Sequence, residues 1–357
     1  MIMNFSVLIR IVGFLLFTFW NLFAFSQPSL NSFFFQYGYI DALSAALSSI
    51  NVRDSTPSIG RENPFLIPKD FYGSVTNVIY HGGITGHRLA ASIPNYKIPL
   101  AYITLINYGI QGQRYDAEGF PAGIYNAWEG EAGFSLLIDT LGRLQGATTP
   151  RILLTQIDRF FGLAIASDFL FRVSLPGSRS ILLTLRNIGF IIDRLTYRQK
   201  RFLSPQINLY AFLPLKYAPI DIHISAINLQ FPRLSPDNEI RFSNRLDSSF
   251  LNKLSFIAHN ILRHLSFSAR LRFFEKLHFM VGYDFNLRYN LAPITYGGGL
   301  TGLTFGIKFS RKNVMFVYGH RFYYPGGGPH YFTININLAS VIKGWGSDDR
   351  KHKKKGI

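Results

Sequence analysis

Cysteine is absent from this chain of 357 residues. Its absence excludes disulfide bonds, cysteine-ligated zinc, thiol catalysis and a lipid-modified N-terminal cysteine. Acidic residues are scarce as well, with 20 Asp and Glu against 37 Lys and Arg, so the net charge is +17. Charged residues make up only 16% of the chain, whereas soluble domains average about 25%. This composition favours a protein that exposes part of its surface to lipid.

A strongly basic chain binds either nucleic acid or an anionic membrane surface. Aromatic residues make up 16% of this chain, with 34 Phe and 19 Tyr. An RNA-binding domain is expected to carry aromatic residues around exposed basic helices. In this chain they lie in alternating strand patterns instead. We therefore expect contact with a membrane and no nucleic-acid partner.

Residues 1–26 are typical of a secretory signal peptide. Arg10 supplies the positive charge, Ile11 to Phe23 is an almost unbroken apolar run, and Ala24 and Ser26 place small residues where a signal peptidase cuts. We predict cleavage between Ser26 and Gln27. The alternative is an uncleaved anchor, but a membrane-spanning helix needs about 20 apolar residues and this run is shorter. After Gln27 no apolar stretch reaches that length, so the other apolar residues must be distributed differently.

Strict alternation of apolar and polar residues dominates the last third of the chain. It runs through 264–273, 277–288, 303–310 and 332–338. A period of two gives a strand one apolar and one polar face, and strands of about 9–11 residues match those that cross a membrane at a tilt. Because no sheet edge can remain unpaired in hydrocarbon, these strands predict a closed antiparallel transmembrane β-barrel. Its polar faces, including His264 and Arg270, would line the interior.

A soluble β-sandwich is the alternative, since it also has strands with one buried face. It explains less well the length of the strands and the aromatic character of their apolar faces. Aromatic pairs at strand ends, namely Tyr283 with Phe285, Tyr323 with Tyr324 and Tyr331 with Phe332, are expected of the girdles at the two interfaces of a membrane barrel.

Less regular strand patterns precede this region and bring the predicted count to about 14, in an all-β fold. Residues 27–70 would form an N-terminal plug, since Ala42 to Ser49 is a run of small residues suited to a short helix in the barrel mouth. Residues 71–338 would form the barrel, and 339–357 a basic, disordered tail. The earlier strand candidates are 71–80, 86–93, 98–108, 132–139, 160–173, 180–188, 205–213 and 220–229, with two more around Tyr125–Trp128 and Asn313–His320.

Metal and phosphate sites are not indicated. His81 and His87 are six residues apart, which is not the spacing of metal ligands on a helix, and Gly82 and Gly83 between them suggest a turn. Gly297–Gly299 lacks the Lys-Ser/Thr that completes a phosphate-binding loop. We expect no metal and no cofactor.

Catalytic motifs are not indicated either, because the chain contains no G-x-S-x-G nucleophile elbow. Two carboxylate pairs, Asp116 with Glu118 and Glu129 with Glu131, have the spacing of one strand face, and we expect them to be solvated in loops or at strand ends. The sequence therefore predicts a protein that is not an enzyme.

Several short motifs, in the same order, resemble the PorV/PorQ family of outer-membrane components of the type IX secretion system of Bacteroidetes. The resemblance runs from about Phe33 to Leu338, and it departs from the family at Ser48-Ser49, where Gly-Gly is usual, and at Phe65, where a small residue is common. The motifs are Asp41–Leu47, Asn63-Pro64, Tyr102–Gly109, Leu185–Gly189, Ile227–Gln230, Leu262–His264, Gly299–Arg311 and His330–Leu338.

This resemblance implies a barrel similar to that of the FadL fatty-acid transporter, located in the outer membrane of a Gram-negative bacterium. It also implies a role in the complex that attaches secreted proteins to surface lipopolysaccharide, beside PorU-, PorV- and PorZ-like partners, with the sortase chemistry carried out by another subunit. The chain would then anchor that complex in outer-membrane lipid. A FadL-like transporter of hydrophobic compounds is the alternative function, and it would require a continuous apolar tunnel.

Overall fold

The structure is a computed structural model. It describes residues 40–50, 62–66, 70–92, 100–109, 112–115, 118–158, 160–193, 202–231, 258–274, 276–291, 299–323 and 327–341. The predicted cleavage site at Ser26 and Gln27, most of the predicted plug and all but the first three residues of the predicted tail lie outside these residues.

The strands of the described residues form a barrel and one separate hairpin. Two helices are labelled, α1 (Ala42–Leu47) and α2 (Phe285–Leu291), and Pro64–Leu66 and His81–Gly83 form single 3-10 turns. The strands are β1 (Tyr72–Ile79), β2 (Thr85–Ser92), β3 (Leu100–Asn107), β4 (Gly112–Tyr115), β5 (Pro121–Tyr125), β6 (Ala127–Leu141), β7 (Leu144–Ile157), β8 (Phe160–Leu175), β9 (Arg179–Asp193), β10 (Gln206–Pro214), β11 (Ile220–Ala226), β12 (Leu265–Arg272), β13 (Leu277–Asp284), β14 (Leu303–Arg311), β15 (Val314–Arg321) and β16 (His330–Asn337).

Fourteen of these strands close into one antiparallel barrel, which confirms the predicted fold class and strand count. Each strand pairs with its neighbours in the chain, except that the β4–β5 hairpin stands apart between β3 and β6. The barrel closes where β1 pairs with β16, from Tyr72 opposite Asn337 to Ile79 opposite His330. No helix among the described residues is long and apolar enough to cross a membrane.

The two ends of the barrel differ in their connections. At the end where β1 begins and β16 ends, most strands are joined by short turns, such as residues 142–143 and 312–313. We call this the short-turn end. The opposite, long-loop end carries the β4–β5 hairpin and the connection over 227–264. In bacterial membrane barrels, short turns face the periplasm and longer loops face the outside.

Side chains alternate across the barrel wall as the sequence predicts. On β12 and β13, Phe267, Phe279 and Val281 face outward and are 39%, 40% and 50% exposed. Their neighbours Ser268 and Arg270 face inward and are 5% and 0% exposed. The barrel therefore has an apolar outer wall and a polar interior, which is the inverse of a soluble barrel and is typical of one embedded in lipid.

Two predicted features of the last strands are wrong. The strand predicted over 277–288 ends at Asp284, because the Asp284 carboxylate accepts a hydrogen bond from the Leu287 amide at 3.2 Å and caps α2. Tyr331, predicted to belong to an interfacial girdle, is fully buried inside the barrel and packs edge-on against Tyr80. It has the same parity along β16 as the inward-facing Thr333.

One barrel strand, β7, is missing from the predicted set. Its sequence contains Pro150, which lacks an amide donor and argues against a central strand. The pairs that join β6 to β7 accordingly pass from Gly133–Arg151 to Leu136–Thr148, without a pair at Pro150. The predicted count was still right because the candidate around Tyr125–Trp128 is the end of β5 and the start of β6.

Candidate functional site: a plugged and ion-paired interior

Helix α1 lies inside the barrel, in the run of small residues that predicts a short helix. All six of its residues are buried. The Asp41 carboxylate caps its first turn by accepting from the Ser44 amide at 2.8 Å. The helix ends at Ser48, whose φ of 44° is left-handed. This conformation favours glycine.

Three glycines of the inner wall make room for α1. A Cβ on Gly319 would lie 2.4 Å from the Ala42 carbonyl oxygen, and one on Gly306 would lie 2.4 Å from the Ala46 Cβ. At Gly282 the Leu47 carbonyl oxygen would be 3.2 Å away. Because these strands present no side chain at these positions, the helix backbone approaches the wall directly. We call Gly282, Gly306 and Gly319 the glycine seat.

Hydrogen bonds from four strands hold this segment on the glycine seat. The Ala42 amide donates to the Thr333 hydroxyl at 3.1 Å, and the Thr304 hydroxyl donates to the Ala46 carbonyl at 2.8 Å. Beyond the helix, the Ser266 hydroxyl donates to the Ser48 carbonyl at 2.6 Å, and the Ser225 hydroxyl donates to the Ser49 hydroxyl at 2.6 Å. The segment therefore crosses the inner wall from β16 to β11.

A cluster of buried charges fills the interior at β6 to β9. Arg151 of β7 donates to Glu131 at 3.0 Å, to Asp168 at 2.9 Å and to the Asn187 side-chain oxygen. Arg186 approaches the second oxygen of Asp168 at 3.4 Å. Each side chain of these ion pairs is at most 7% exposed. Buried ions of this kind require their partners, since a charge left alone in a protein interior costs several kcal/mol.

A bulge in β9 brings a backbone donor into this cluster. Asn187 has a φ of 61°, and its amide donates to Asp168 at 2.8 Å. Gly189 then passes so close to β8 that a Cβ would lie 2.1 Å from the Ile165 carbonyl oxygen. The motif residues Arg186 to Gly189 therefore form a bulge inside a strand.

Further buried ion pairs occupy other parts of the interior. Arg88 pairs with Glu62 at 3.1 Å, Arg270 with Asp221 at 2.7 Å, and Arg321 with Asp284 at 2.7 Å. Every one of these side chains is at most 5% exposed. Much of the described interior is thus filled by packed and ion-paired polar groups.

The structure corrects the prediction for one carboxylate pair. Glu129 and Glu131 are 1% and 2% exposed on the inner face of β6, so they are not solvated. The spacing of two correctly placed them on one face, but it does not tell which face is buried. Glu118 is exposed as predicted, and Asp116 lies outside the described residues.

The histidines considered in the sequence and Arg270 lie in different parts of the barrel. His81 to Gly83 form the predicted turn, with Gly82 and Gly83 at φ of 80° and 82°, and His87 faces outward on β2. His264 is half-buried, with its Nδ1 2.8 Å from the Ile227 carbonyl oxygen. Arg270, predicted to line the lumen, faces inward and is ion-paired. Among the described residues, no three His, Asp or Glu side chains are grouped to hold a metal ion.

Two tyrosines at the long-loop end have raised pKa values. Burial raises the pKa of Tyr80, and burial together with the neighbouring Glu129 raises the pKa of Tyr108. Both phenols therefore remain protonated at neutral pH and act as hydrogen-bonding groups rather than as bases.

Two cavities lined by described residues lie beside the packed part of the interior. One, of about 740 Å³, opens at the short-turn end between the β8–β9 and β10–β11 turns. The other is a groove of about 460 Å³ in the wall formed by β1, β2, β3 and β16, and its lining is almost wholly apolar. At its centre Gly73, Ala91 and Ala101 stand opposite one another on three neighbouring strands.

The sequence matches no protein-family profile and no curated protein. Among solved structures, the toluene transporter TodX of Pseudomonas putida is 7% identical, with a TM-score of 0.47 over 87% of this chain and 97% of that one. A FadL homologue of Pseudomonas aeruginosa is 8% identical, with a TM-score of 0.42 over 85% of this chain and 99% of that one. CdiB of Acinetobacter baumannii is 11% identical, with a TM-score of 0.35 over 75% of this chain and 59% of that one. These similarities concern the β-barrel fold alone.

Proposed function

We propose that this chain is a non-enzymatic outer-membrane barrel that anchors the cell-surface attachment complex of a type IX secretion system. The observation that supports this most is the packed and ion-paired interior. Helix α1 on the glycine seat and the ion pairs around Arg151 hold the inner wall together. A barrel built in this way is suited to be a rigid platform that presents its long-loop end to partner proteins.

The positions of the family-like residues support the same proposal. Asp41–Leu47 forms α1 with its cap, and Arg186–Gly189 forms the bulge that supplies two groups to Asp168. These motifs therefore lie at the structural centre of the plug and of the charge cluster. The partners would be PorU-, PorV- and PorZ-like proteins, with lipid and lipopolysaccharide around the barrel.

Affinity purification of the tagged full chain from outer membranes tests the anchoring function. We expect type IX components to be recovered with it, and we expect deletion of the gene to leave secreted cargo unattached to the surface. Complementation with the wild-type gene provides the control. Normal attachment of cargo in the deletion strain, together with a pull-down that lacks these components, would reject the proposal.

A second candidate function is transport of hydrophobic compounds, as in a FadL-like barrel. The wall groove favours it, because outward-facing Val75 and Ile103 and inward-facing Ser74 and Tyr102 all line the same opening. A hydrophobic compound dissolved in the membrane has direct access to such a groove. The polar, ion-paired interior opposes this candidate, because transport of hydrophobic compounds through the barrel requires a continuous apolar tunnel.

Filling the groove distinguishes the two functions. Ala91→Phe places a ring in the groove, whereas Ala132→Phe places the same ring on an outward position of β6 outside it. Transport predicts that only Ala91→Phe lowers uptake of a hydrophobic compound by whole cells. Anchoring predicts that uptake is the same in both variants and in the deletion strain.

A further inference from the structure

The cavity at the short-turn end has a lining unlike the rest of the interior. It lies between the turns that follow β8 and β10, beside the 3-10 turn Pro64–Leu66. Arg172 and Ser174 of β8, Phe212 of β10 and Arg272 of β12 all point into it from the inner wall. Its volume of about 740 Å³ is in the range of small-molecule sites, which is about 300–1,000 Å³.

The cavity carries an excess of positive charge. Arg172, Arg179, Lys216 and Arg272 line it, and no Asp or Glu of the described chain does. Arg272 lies 3.6 Å from Oδ1 of Asp221, and the other oxygen of that carboxylate, Oδ2, accepts from Arg270 at 3.0 and 2.7 Å, so Arg270 and Arg272 share one counter-ion. Four cations around one cavity with a single shared counter-ion attract an anion.

Two of these arginines each have a hydrogen-bond donor that is not used. The Nε–H groups of Arg172 and Arg272 are buried and donate to no group among the described residues. Buried donors are normally satisfied, and guanidinium groups bind carboxylates and phosphates through two parallel hydrogen bonds. Because both arginines line the cavity, an anionic group bound there has access to these donors.

The large uncharged side chains of the lining are apolar. Leu66, Leu175, Phe212 and Leu215 share the cavity with the cations. We therefore propose that this cavity binds an anionic amphiphile, in which a phosphate or carboxylate head group pairs with Arg172 and Arg272 and a single apolar chain lies against these side chains. The site is independent of the anchoring function, so its test and the test of cargo attachment can fail separately.

Native mass spectrometry of the full chain in dodecyl maltoside tests the ligand class. We expect one molecule of dodecyl phosphate or dodecanoate to bind. Its apparent Kd should be at least about tenfold below those of dodecanol and of inorganic phosphate, because dodecanol lacks the anionic head group and inorganic phosphate lacks the apolar chain. The tighter of the two charged probes identifies the head group. Dodecanol or inorganic phosphate binding as tightly as dodecyl phosphate would overturn the proposal.

Charge-removing variants locate the site. Arg172→Gln and Arg272→Gln should each weaken binding of the favoured charged probe about tenfold. Because Arg272 also neighbours Asp221, Lys216→Gln on the exposed turn serves as a variant that leaves the interior intact, with an expected loss of about threefold. Arg143→Gln removes an exposed charge at the same end but outside the lining, and it should change the Kd less than about twofold. An equal loss in Arg143→Gln would show general attraction to the basic end and would also overturn the proposal.

Discussion

Arg151 joins two carboxylates and one side-chain amide within the buried charge cluster. Glu131, Asp168 and Asn187 all accept from its guanidinium group, and its side chain is 0% exposed. Removing it would leave two buried carboxylates without their main counter-charge. Breaking such a site costs more than the pairs themselves contribute, because the buried ions that remain have lost a counter-charge without gaining hydration.

Arg151→Met should lower the free energy of unfolding by about 3–5 kcal/mol. Methionine retains the length of the side chain but removes its charge and all of its donors. Urea unfolding of the barrel in lipid vesicles measures the effect. Arg143→Met, at an exposed turn, is the matched control and should change stability by less than about 0.5 kcal/mol. A loss below about 1 kcal/mol in Arg151→Met would contradict the structural role of the cluster.

The sequence predicts the inward face of the last strands but not the partners of the charges on it. Alternation places Arg270 inside, because its neighbours Ala269 and Leu271 belong to the apolar face. It does not show that Arg270 pairs with Asp221, which lies 49 residues earlier. That pairing depends on which residues of β11 and β12 lie opposite each other, and alternation within one strand does not determine this. For the same reason Glu131 was assigned to solvent, although Arg151 holds it in the interior.

Helix α1 shows how an element that is too short to be stable alone is held in place. Its six residues are fewer than the roughly 12–15 that an isolated helix needs in water. Its stability comes from the glycine seat, from Thr333 and Thr304, and from its own cap at Asp41. The small residues of α1 and the glycines opposite are therefore two halves of one interface.

Gly319→Ala should displace α1, because all three of the nearest atoms to the new Cβ belong to Ala42 and Ala46. We expect a cost of about 1–3 kcal/mol and faster access of reagents to the helix. Since the chain has no cysteine, Ser44→Cys supplies a single buried thiol whose labelling rate reports this access.

Gly86→Ala is the matched control for this measurement. A Cβ on Gly86 would meet only Val78 and Ile106, at 3.5 and 3.6 Å, which are ordinary contacts. Labelling of Ser44→Cys should therefore be unchanged in the Gly86→Ala background. Equal labelling in the Gly319→Ala and Gly86→Ala backgrounds would show that α1 does not depend on close approach at Gly319.

Sequence patterns predicted elements well where a single rule applied. The small-residue run predicted α1, and the period of two predicted β12, β14 and β16. The strand β7 was missed because Pro150 interrupts the rule locally, whereas pairing with β8 on its other side holds the strand in the sheet. The sequence predicts the end of a strand where α2 lies, because the residues of α2 continue the alternation. The cap at Asp284 instead starts a helix there.

The whole molecule is organised around two surfaces of opposite polarity. The outer wall exposes side chains such as Leu89, Ile103 and Val281, which are 58%, 61% and 50% exposed. An exterior of this kind is stable only in contact with lipid, since apolar patches on soluble proteins are much smaller. The closed sheet meets the second requirement of the membrane, because no strand edge is left unpaired.

Val281→Arg should destabilise the barrel by about 2–4 kcal/mol in lipid vesicles, because Val281 faces outward in the middle of β13. Val314 is similarly exposed, at 45% against 50% for Val281, but it begins β15 next to a turn. Val314→Arg should therefore cost only about 0–1 kcal/mol. Unfolding by urea compares the two. Equal costs would contradict a membrane whose centre lies near the middle of the strands.

The position of α1 also constrains the order of assembly. Ala42 is bonded to Thr333, which lies 291 residues further along the chain, so the first described element of the protein is completed by its last strand. Contacts between such distant residues form late and slow the folding of a chain. We therefore expect α1 to bind the inner wall only after β12 to β16 have formed. The pairing of β1 with β16 then closes the barrel around it. A chain that lost its final strand would lack both the seam and the partner of Ala42, so the cell would not accumulate half-finished barrels with a seated plug.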